Sequence, residues 1–313
     1  MDFVSDVVAV MRAGRPSSAL VAWHAPFGQF FPEVPYAAGF QIVVAGTPWL
    51  VPPVGDPVRL DEGDLVFFPH GHGYGLADSP SRPMAAPVCD PETGRPLLVS
   101  DTVGDGDGPA TVTLCGGYRL APGRVHPLLG GMPDAVRLSA GRHPRLGTAI
   151  ALLRAEAEYP TPGSETAVLA LLDLLLVYIL RAWSAEQPDG IGWAAALRDP
   201  AVSAALSALH DDPARAWTVR TLAEASGLSR AAFARRFTAL VGRPPLGYLT
   251  WWRMTLAARL LRDTDTSLAH VAARTGYASE YSLSHAFKRA HGVAPGRYRR
   301  VPDPYPEPSA GPR

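Results

Sequence analysis

The sequence predicts an α+β protein: a sheet-rich N-terminal domain over residues 1–140, connecting helices and a linker over 141–192, and an all-α domain over 199–300 that carries a double helix-turn-helix. Three observations predict it. Residues 19–140 hold short β-branched and aromatic runs broken by Gly and Pro, the mark of many short strands. Residues 143–183 hold longer apolar segments at helical spacing. Near the C-terminus one pattern occurs twice, first as Gly227, Ser229, Phe233, Phe237, Gly242, Pro245 and Tyr248, then as Gly276, Ser279, Leu283, Phe287, Gly292, Pro295 and Tyr298. From the serine onward the two copies are offset by fifty residues.

In the N-terminal domain, 40–45, 58–60, 65–68, 111–114 and 135–138 read as strands, with Gly63-Asp64 as a hairpin turn. Short strands with frequent turns predict a β-sandwich or small barrel. The Gly- and Asp-rich run 101–109 reads as a flexible loop. Residues 143–159 follow as a helix, with Ile150, Leu153 and Ala157 on one face and Pro160 and Pro162 ending it. A second helix spans 164–183, capped by Ser164 with Glu165 in its first turn. Its apolar residues Val168, Leu171, Leu172, Leu175, Leu176, Ile179 and Leu180 exceed one face, so it is buried on more than one side. Two partners fit: the barrel, or a second copy of the chain. The most apolar stretch, 168–180, contains Asp173 and is too short to span a bilayer. Residues 187–192 read as a linker, and the Pro-rich tail 301–313 as disordered.

Each C-terminal copy reads as helix, tight Gly turn and second helix, over about 218–241 and 267–291. In the first, Leu222 and Ala225 give the leading helix an apolar face. Gly227 supplies a turn residue that tolerates positive φ, and Ser229 suits an N-cap. Phe233 and Phe237 are four apart and point to the core, while Arg230 and Arg235, flanked by Arg236, face outward. In the second, Thr266 and Ser267 are candidate caps before Val271 and Ala272. Ser279 caps the next helix, Leu283 and Phe287 form its core side, and Glu280, Tyr281, Ser284 and His285 fall outside. In a helix-turn-helix the second helix enters the DNA major groove. Between the copies, 245–261 reads as a helix with Leu249, Trp252, Leu256, Arg259 and Leu260 at helical spacing. At 1.5 Å per residue it is roughly 25 Å long. Such a rod can hold two recognition helices about one DNA turn, ~34 Å, apart. One chain is therefore expected to read two successive major grooves of double-stranded DNA.

Formal net charge is zero, but the zero is a sum of opposites. Residues 199–300 carry 15 basic and 7 acidic side chains, whereas 1–198 carry 13 and 20. A basic domain beside an acidic one is expected of a DNA reader joined to a part that does not bind DNA. The two cysteines, Cys89 and Cys115, make no secreted disulfide framework, and no secretory leader is read at the N-terminus. A cytoplasmic protein without a membrane partner is expected.

The runs Trp217-Thr-Val-Arg-Thr-Leu-Ala, Gly227-Leu-Ser-Arg, Gly242-Arg-Pro-Pro, Ala269-His-Val-Ala-Ala-Arg-Thr-Gly-Tyr and Gly292-Val-Ala-Pro-Gly-Arg-Tyr-Arg resemble the AraC/XylS family of transcription regulators. The resemblance covers 199–300. It implies a seven-helix DNA-binding domain acting on transcription, most often as an activator touching RNA polymerase. It implies Ala231, Ala234 and Arg235 as base-facing positions of the first recognition helix, and Glu280, Tyr281, Ser284 and His285 of the second. Ser229, Arg230 and Ser279 complete the expected DNA-binding set. Two alanines cannot make hydrogen-bonded readout, which leaves Arg235, to guanine, as the leading single base contact.

Gly63-Asp-Leu-Val-Phe-Phe-Pro-His-Gly-His-Gly-Tyr, Leu114-Cys-Gly-Gly-Tyr and His126-Pro-Leu-Leu-Gly-Gly-Met-Pro resemble the cupin-type sensor domain of a subgroup of AraC-like regulators. The resemblance implies a cupin-like β-barrel whose interior binds a small effector, with His70, His72, Tyr74 and Gln41 as candidate contacts. Tyr74 and Gln41 stand where related sensors carry histidines. No cofactor is required. A metal site from His70, His72 and either Cys89 or Cys115 is the alternative, since imidazole and thiolate suit zinc or copper. The leading reading is an effector-controlled transcription regulator acting as a homodimer. Its rivals are a cupin metalloenzyme or a redox or metal sensor fused to a DNA-binding domain, and an architectural DNA-binding protein whose N-terminal domain only dimerises.

Overall fold

The computed structural model describes residues 3–11, 13–87, 102–104, 110–122, 124–188 and 192–300, which fall into two compact units. Cys89, most of the 101–109 loop, the middle of the 187–192 linker and the tail past 300 lie outside the described residues. The first helix, α1 (Phe3–Met11), belongs with the helical C-terminal unit, as does the segment 122–126. The remainder up to Trp183 forms the sheet unit.

The sheet unit runs β1 (Ser17–His24), β2 (Gly28–Phe31), β3 (Ala37–Ala45), β4 (Trp49–Val51), β5 (Val58–Arg59), β6 (Asp64–Phe68), β7 (Tyr74–Ala77), β8 (Thr102–Val103), β9 (Ala110–Arg119), α2 (Pro127–Gly130), β10 (Val136–Ser139), α3 (Pro144–Glu158) and α4 (Ser164–Glu186). A six-stranded sheet has the order β10-β6-β3-β9-β1-β8, and a four-stranded sheet the order β2-β7-β4-β5. All pairings are antiparallel except β1 with β8.

The two faces of the larger sheet follow from strand alternation. One presents Trp23, Val43, Val66 and Phe68 to Phe31, Leu50, Tyr74 and Leu76 of the smaller sheet, forming the core between them. The other carries Phe40, Ile42, Leu65, Phe67, Leu114 and Tyr118, all buried. There the Tyr118 hydroxyl donates to the Leu172 carbonyl of α4 at 2.7 Å. Burial on both faces explains why β6 is apolar throughout instead of alternating. Gly116 of β9 allows the close approach: a Cβ there would stand 2.6 Å from the Phe40 ring and 2.2 Å from the Ser17 carbonyl oxygen.

Helix α4 starts at Ser164 as expected and runs three residues past 183, to Glu186. Its 23 residues are long and apolar enough by composition to cross a membrane. One face of it, Leu172, Leu175, Leu176, Ile179 and Leu180, is buried in the protein. Ser164 is the first residue of α4 and does not cap it from outside. Its hydroxyl accepts from the Thr161 N–H and donates to Glu156 of α3, closing the α3–α4 corner.

In the helical unit follow α5 (Gly192–Arg198), α6 (Pro200–Asp211), α7 (Val219–Ala225), α8 (Arg230–Val241), α9 (Pro245–Asp263), α10 (Leu268–Arg274), α11 (Glu280–His291) and α12 (Pro295–Arg300). Local chemistry sets the boundaries. Asp199 caps α6 by accepting from the Val202 N–H, and Thr218 and Thr221 form a capping box on α7. The long helix α9 has 19 residues, about 28 Å at 1.5 Å each. Its C-terminal half, through Met254, Ala257, Ala258 and Leu261, packs with Val271 and Ala272 of α10 and Leu283, Ala286 and Phe287 of α11. Near its start, Tyr248 meets Phe237 of α8 edge-on at 6.0 Å.

Candidate functional site

Helices α7 and α8 form one helix-turn-helix, and α10 and α11 the other. The turns follow from glycine: Gly227 has φ +66° and Gly276 φ +72°, a region L side chains avoid. Gly276 is doubly constrained, because a Cβ there would lie 2.6 Å from the Ala214 carbonyl oxygen and 2.7 Å from Arg253 Nη2. The next residues start the recognition helices. Ser229 accepts from the Ala232 N–H, and Ser279 forms a capping box with Ser282. Both hydroxyls are thus spent on capping, and what these helix starts offer a phosphate is their remaining backbone N–H groups. Of Thr266 and Ser267, only Ser267 caps α10.

The apolar faces are buried as the spacing predicts: Phe233, Phe237, Leu283 and Phe287 are all fully enclosed. Opposite them on α8, Arg230, Ala231 and Arg235 are exposed and Ala234 half-buried. On α11, Glu280, Tyr281 and His285 are exposed and Ser284 half-buried; Tyr281 is 74% exposed. An exposed tyrosine of that size on a helix start is available to a groove, not to the core. Arg236 behaves differently from its neighbours. It forms an ion pair with Asp199, the cap of α6, and so ties α8 to α6 in place of flanking the outer face. Arg253 likewise donates to the Pro213 and Arg215 carbonyls at 2.7 and 3.0 Å, and Arg299 donates to the carbonyls of Leu261 and Thr266. Several arginines of this basic unit are structural ties, so its net charge overstates the cations free for phosphate.

A buried polar cluster lies under α9, and no local sequence signal marks it. Tyr248 Oη stands 3.0 Å from His126 Nε2 and 2.7 Å from His210 Nε2. His210 stacks on Trp252 at 3.8 Å, and Phe3 of α1 meets both histidines edge-on. His210 Nδ1 is 3.6 Å from the Asp6 carboxylate of α1. That carboxylate favours the proton on Nδ1, so Nε2 accepts from Tyr248, whose oxygen in turn accepts from His126 Nε2–H. Burial holds His126 well below its ordinary value near 6.5, with His210 and Arg243 pushing the same way. Burial also lowers His210, against the opposing pull of Asp6 and Asp211, and raises the Tyr248 hydroxyl. Residues 6, 126, 210 and 248 are too far apart in sequence for spacing to link them.

In the sheet unit the four candidate effector contacts separate into two pairs. Tyr74 begins β7 and is buried between the sheets. Its ring lies between Phe68 at 4.1 Å and Phe31 at 4.8 Å, and its hydroxyl donates to Gln41 Oε1 at 3.0 Å. His70 and His72 stay on the turn, where Gly71 and Gly73 bend the chain. His70 Nε2 is 3.0 Å from the Met132 carbonyl, and His72 Nδ1 is 3.4 Å from Asp134. The two imidazoles, 5.6 Å apart, are held by the 132–134 segment. Cys115 lies on β9 directly opposite Gln41 and packs against the intersheet core. Among the described residues no three His, Cys, Asp or Glu side chains are grouped so as to hold a metal ion. Cys89 lies outside them.

Residues 2–185 match a family model described as a cupin, and residues 222–301 one described as a helix-turn-helix domain. The chain is similar to proteins named as AraC-like transcription regulators in Streptomyces lividans and Streptomyces antibioticus. Identity is 35% over 311 residues with the first, covering 96% of this chain and 99% of that protein. It is 34% over 320 residues with the second, covering 97% and 100%. The HTH-type transcriptional regulator MtrA of Neisseria gonorrhoeae is 32% identical over 269 residues, 83% of this chain and 85% of its own length.

Proposed function

The chain belongs to the AraC family of transcription regulators, and from that premise we propose that it activates transcription by reading two successive major grooves with α8 and α11, under control of a small effector held in the sheet unit. The observation that carries this reading is the pair of outward rows. Arg230, Ala231, Ala234 and Arg235 line one recognition helix, and Glu280, Tyr281, Ser284 and His285 the other, on two motifs that both pack on α9. The rows differ in chemistry. Arg235 is suited to the N7 and O6 acceptors of guanine, Ala231 and Ala234 to thymine methyls, and Glu280 to the cytosine amino group. The site read is therefore asymmetric within one protomer. Activation through contact with RNA polymerase, action in the cytoplasm and independence of any cofactor belong to the same reading. A cupin metalloenzyme has less support, because the described residues offer no grouped ligand set for the metal such chemistry uses.

Arg235→Ala is the test of base reading. It is expected to cost about 1–3 kcal/mol at a single base position and to leave affinity for random DNA nearly unchanged. Titration against a panel of single-base variants of a bound site checks this. Equal losses on every sequence would make Arg235 a phosphate contact and remove it from the reading code.

The effector-controlled form is proposed to be a homodimer formed through α4. Leu171, Leu174 and Tyr178 follow helical spacing on its outer side, with Leu174 38% exposed. Leu172 and Leu176 are at most 3% exposed and serve the core instead. Leu171→Glu with Leu174→Glu is expected to give folded monomers by light scattering, whereas Glu at 172 or 176 unfolds the sheet unit. A wild type that is monomeric at micromolar concentration would remove the dimer.

A further inference from the structure

Among the described residues between the two sheets, Gln41 is buried with half of its amide unpaired. It is fully buried on β3, and its Oε1 accepts from the Tyr74 hydroxyl. Its Nε2 is enclosed and meets no acceptor. Turning the amide over does not cure this, since Nε2 would then face the Tyr74 oxygen and Oε1 would take the unserved position. Buried polar groups without a partner are rare, and an apolar side chain would fill a position of this kind more stably.

We propose that Gln41 Nε2 is the anchor of a ligand site for a small, neutral, flat molecule bearing one hydrogen-bond acceptor, such as a carbonyl group. This rests on the effector reading above and names the chemistry of the effector. The surroundings select the class. Beside Gln41 on the larger sheet stand Trp23 and Phe68, and across from it on the smaller sheet Phe31 and Tyr74, the last already stacked between two rings, so the walls favour aromatic or planar molecules. The space offers no countercharge. Among the described residues of the sheet unit, the only buried ionic side chain is Asp64, whose carboxylate is taken by Arg137 and the Asp61 N–H. An ionic ligand would therefore lose its hydration without compensation. The Trp23 indole N–H is occupied by Thr113 Oγ1 at 2.8 Å and the Tyr74 hydroxyl by Gln41, which leaves the Gln41 amide to fix orientation. Cys115 sits directly opposite Gln41 in the β3–β9 register, so its thiol reports on occupancy.

The experiment uses the full chain with acetophenone and benzamide as neutral acceptor probes, and benzoate and benzylamine as charged counterparts of the same shape. Calorimetry and thermal shift measure binding. Alkylation of Cys115 in a Cys89→Ser background measures occupancy at the site. The neutral probes are expected to bind, raise Tm and slow alkylation, and the charged ones to do none of these. Gln41→Met is expected to weaken the neutral probes about tenfold, as loss of one hydrogen bond does, with cooperative melting showing that the variant is folded. Gln41→Glu, which replaces the donor by an acceptor, is expected to weaken them at least as much. Failure of both neutral probes to bind, binding indifferent to Gln41, or a crystal structure with water kept on Nε2 beside a bound probe would each overturn the site. Binding that depends on Gln41 but leaves DNA affinity unchanged upholds the site and overturns the effector reading instead.

Discussion

Replacing Phe287 by Ala is expected to cost about 3–5 kcal/mol and to release the second recognition helix from α9. Phe287 is fully buried in the cluster that joins α9, α10 and α11, with His291 at 4.3 Å and Tyr298 at 5.1 Å from its ring. A helix of 12 residues has little stability of its own, so α11 holds its shape through this contact. The cost is close to the whole stability of a small domain. The expected phenotype is asymmetric. Denaturant unfolding loses cooperativity, and DNA protection shrinks to the segment contacted by α8, whose own core, Phe233 and Phe237, is untouched. Full two-segment protection by Phe287→Ala would show that α11 is not placed by this core.

Tyr248→Phe is expected to destabilise the helical unit by about 1–3 kcal/mol for each imidazole left unserved, because one hydroxyl satisfies both His126 and His210. The same cluster sets an acid limit. Both histidines titrate below their ordinary value near 6.5 when folded, so between the two values the unfolded chain binds more protons than the folded one. Stability is then fully present above pH ~7 and falls as pH drops through about 6.5, by up to ~1.4 kcal/mol per pH unit for each histidine. The fall ends once the folded-state values are passed. His291, also lowered by burial, adds to it. Denaturation midpoints at a series of pH values check this. Stability that rose between pH 7 and 5 would contradict the assigned neutral pair, and His126→Phe should flatten the curve.

The helical unit was legible because its signals are local and occur twice. Serine caps, glycine turns and apolar residues four apart each act within one turn of helix, and Ser229, Ser279, Gly227 and Gly276 all do what their spacing implies. The sheet unit was legible in part: β3, β5, β6, β9 and β10 fall on the expected runs, and β1, β2, β4, β7 and β8 do not. The strand β1 was missed because Ser17–His24 alternates weakly, and β7 because Gly73 and Gly75 read as turn. Missing β7 placed Tyr74 with His70 and His72, whereas strand pairing takes its side chain inward to Gln41. The helix α1 carries Phe3, Val7 and Val10 on one face, but its partners lie in α6 and α9 near the other end of the chain. The pairing of Arg236 with Asp199 is equally invisible, since nothing in either local sequence names the other.

Hydroxyl-radical footprinting of the full chain on a genomically selected site tests the central claim most directly. For each protomer, two protected segments are expected on one face of the duplex, about one helical turn of 10 base pairs apart. Arg235→Ala should weaken one segment and His285→Ala the other. A single protected segment per protomer, or one lost equally in both variants, would contradict reading of two grooves by one chain.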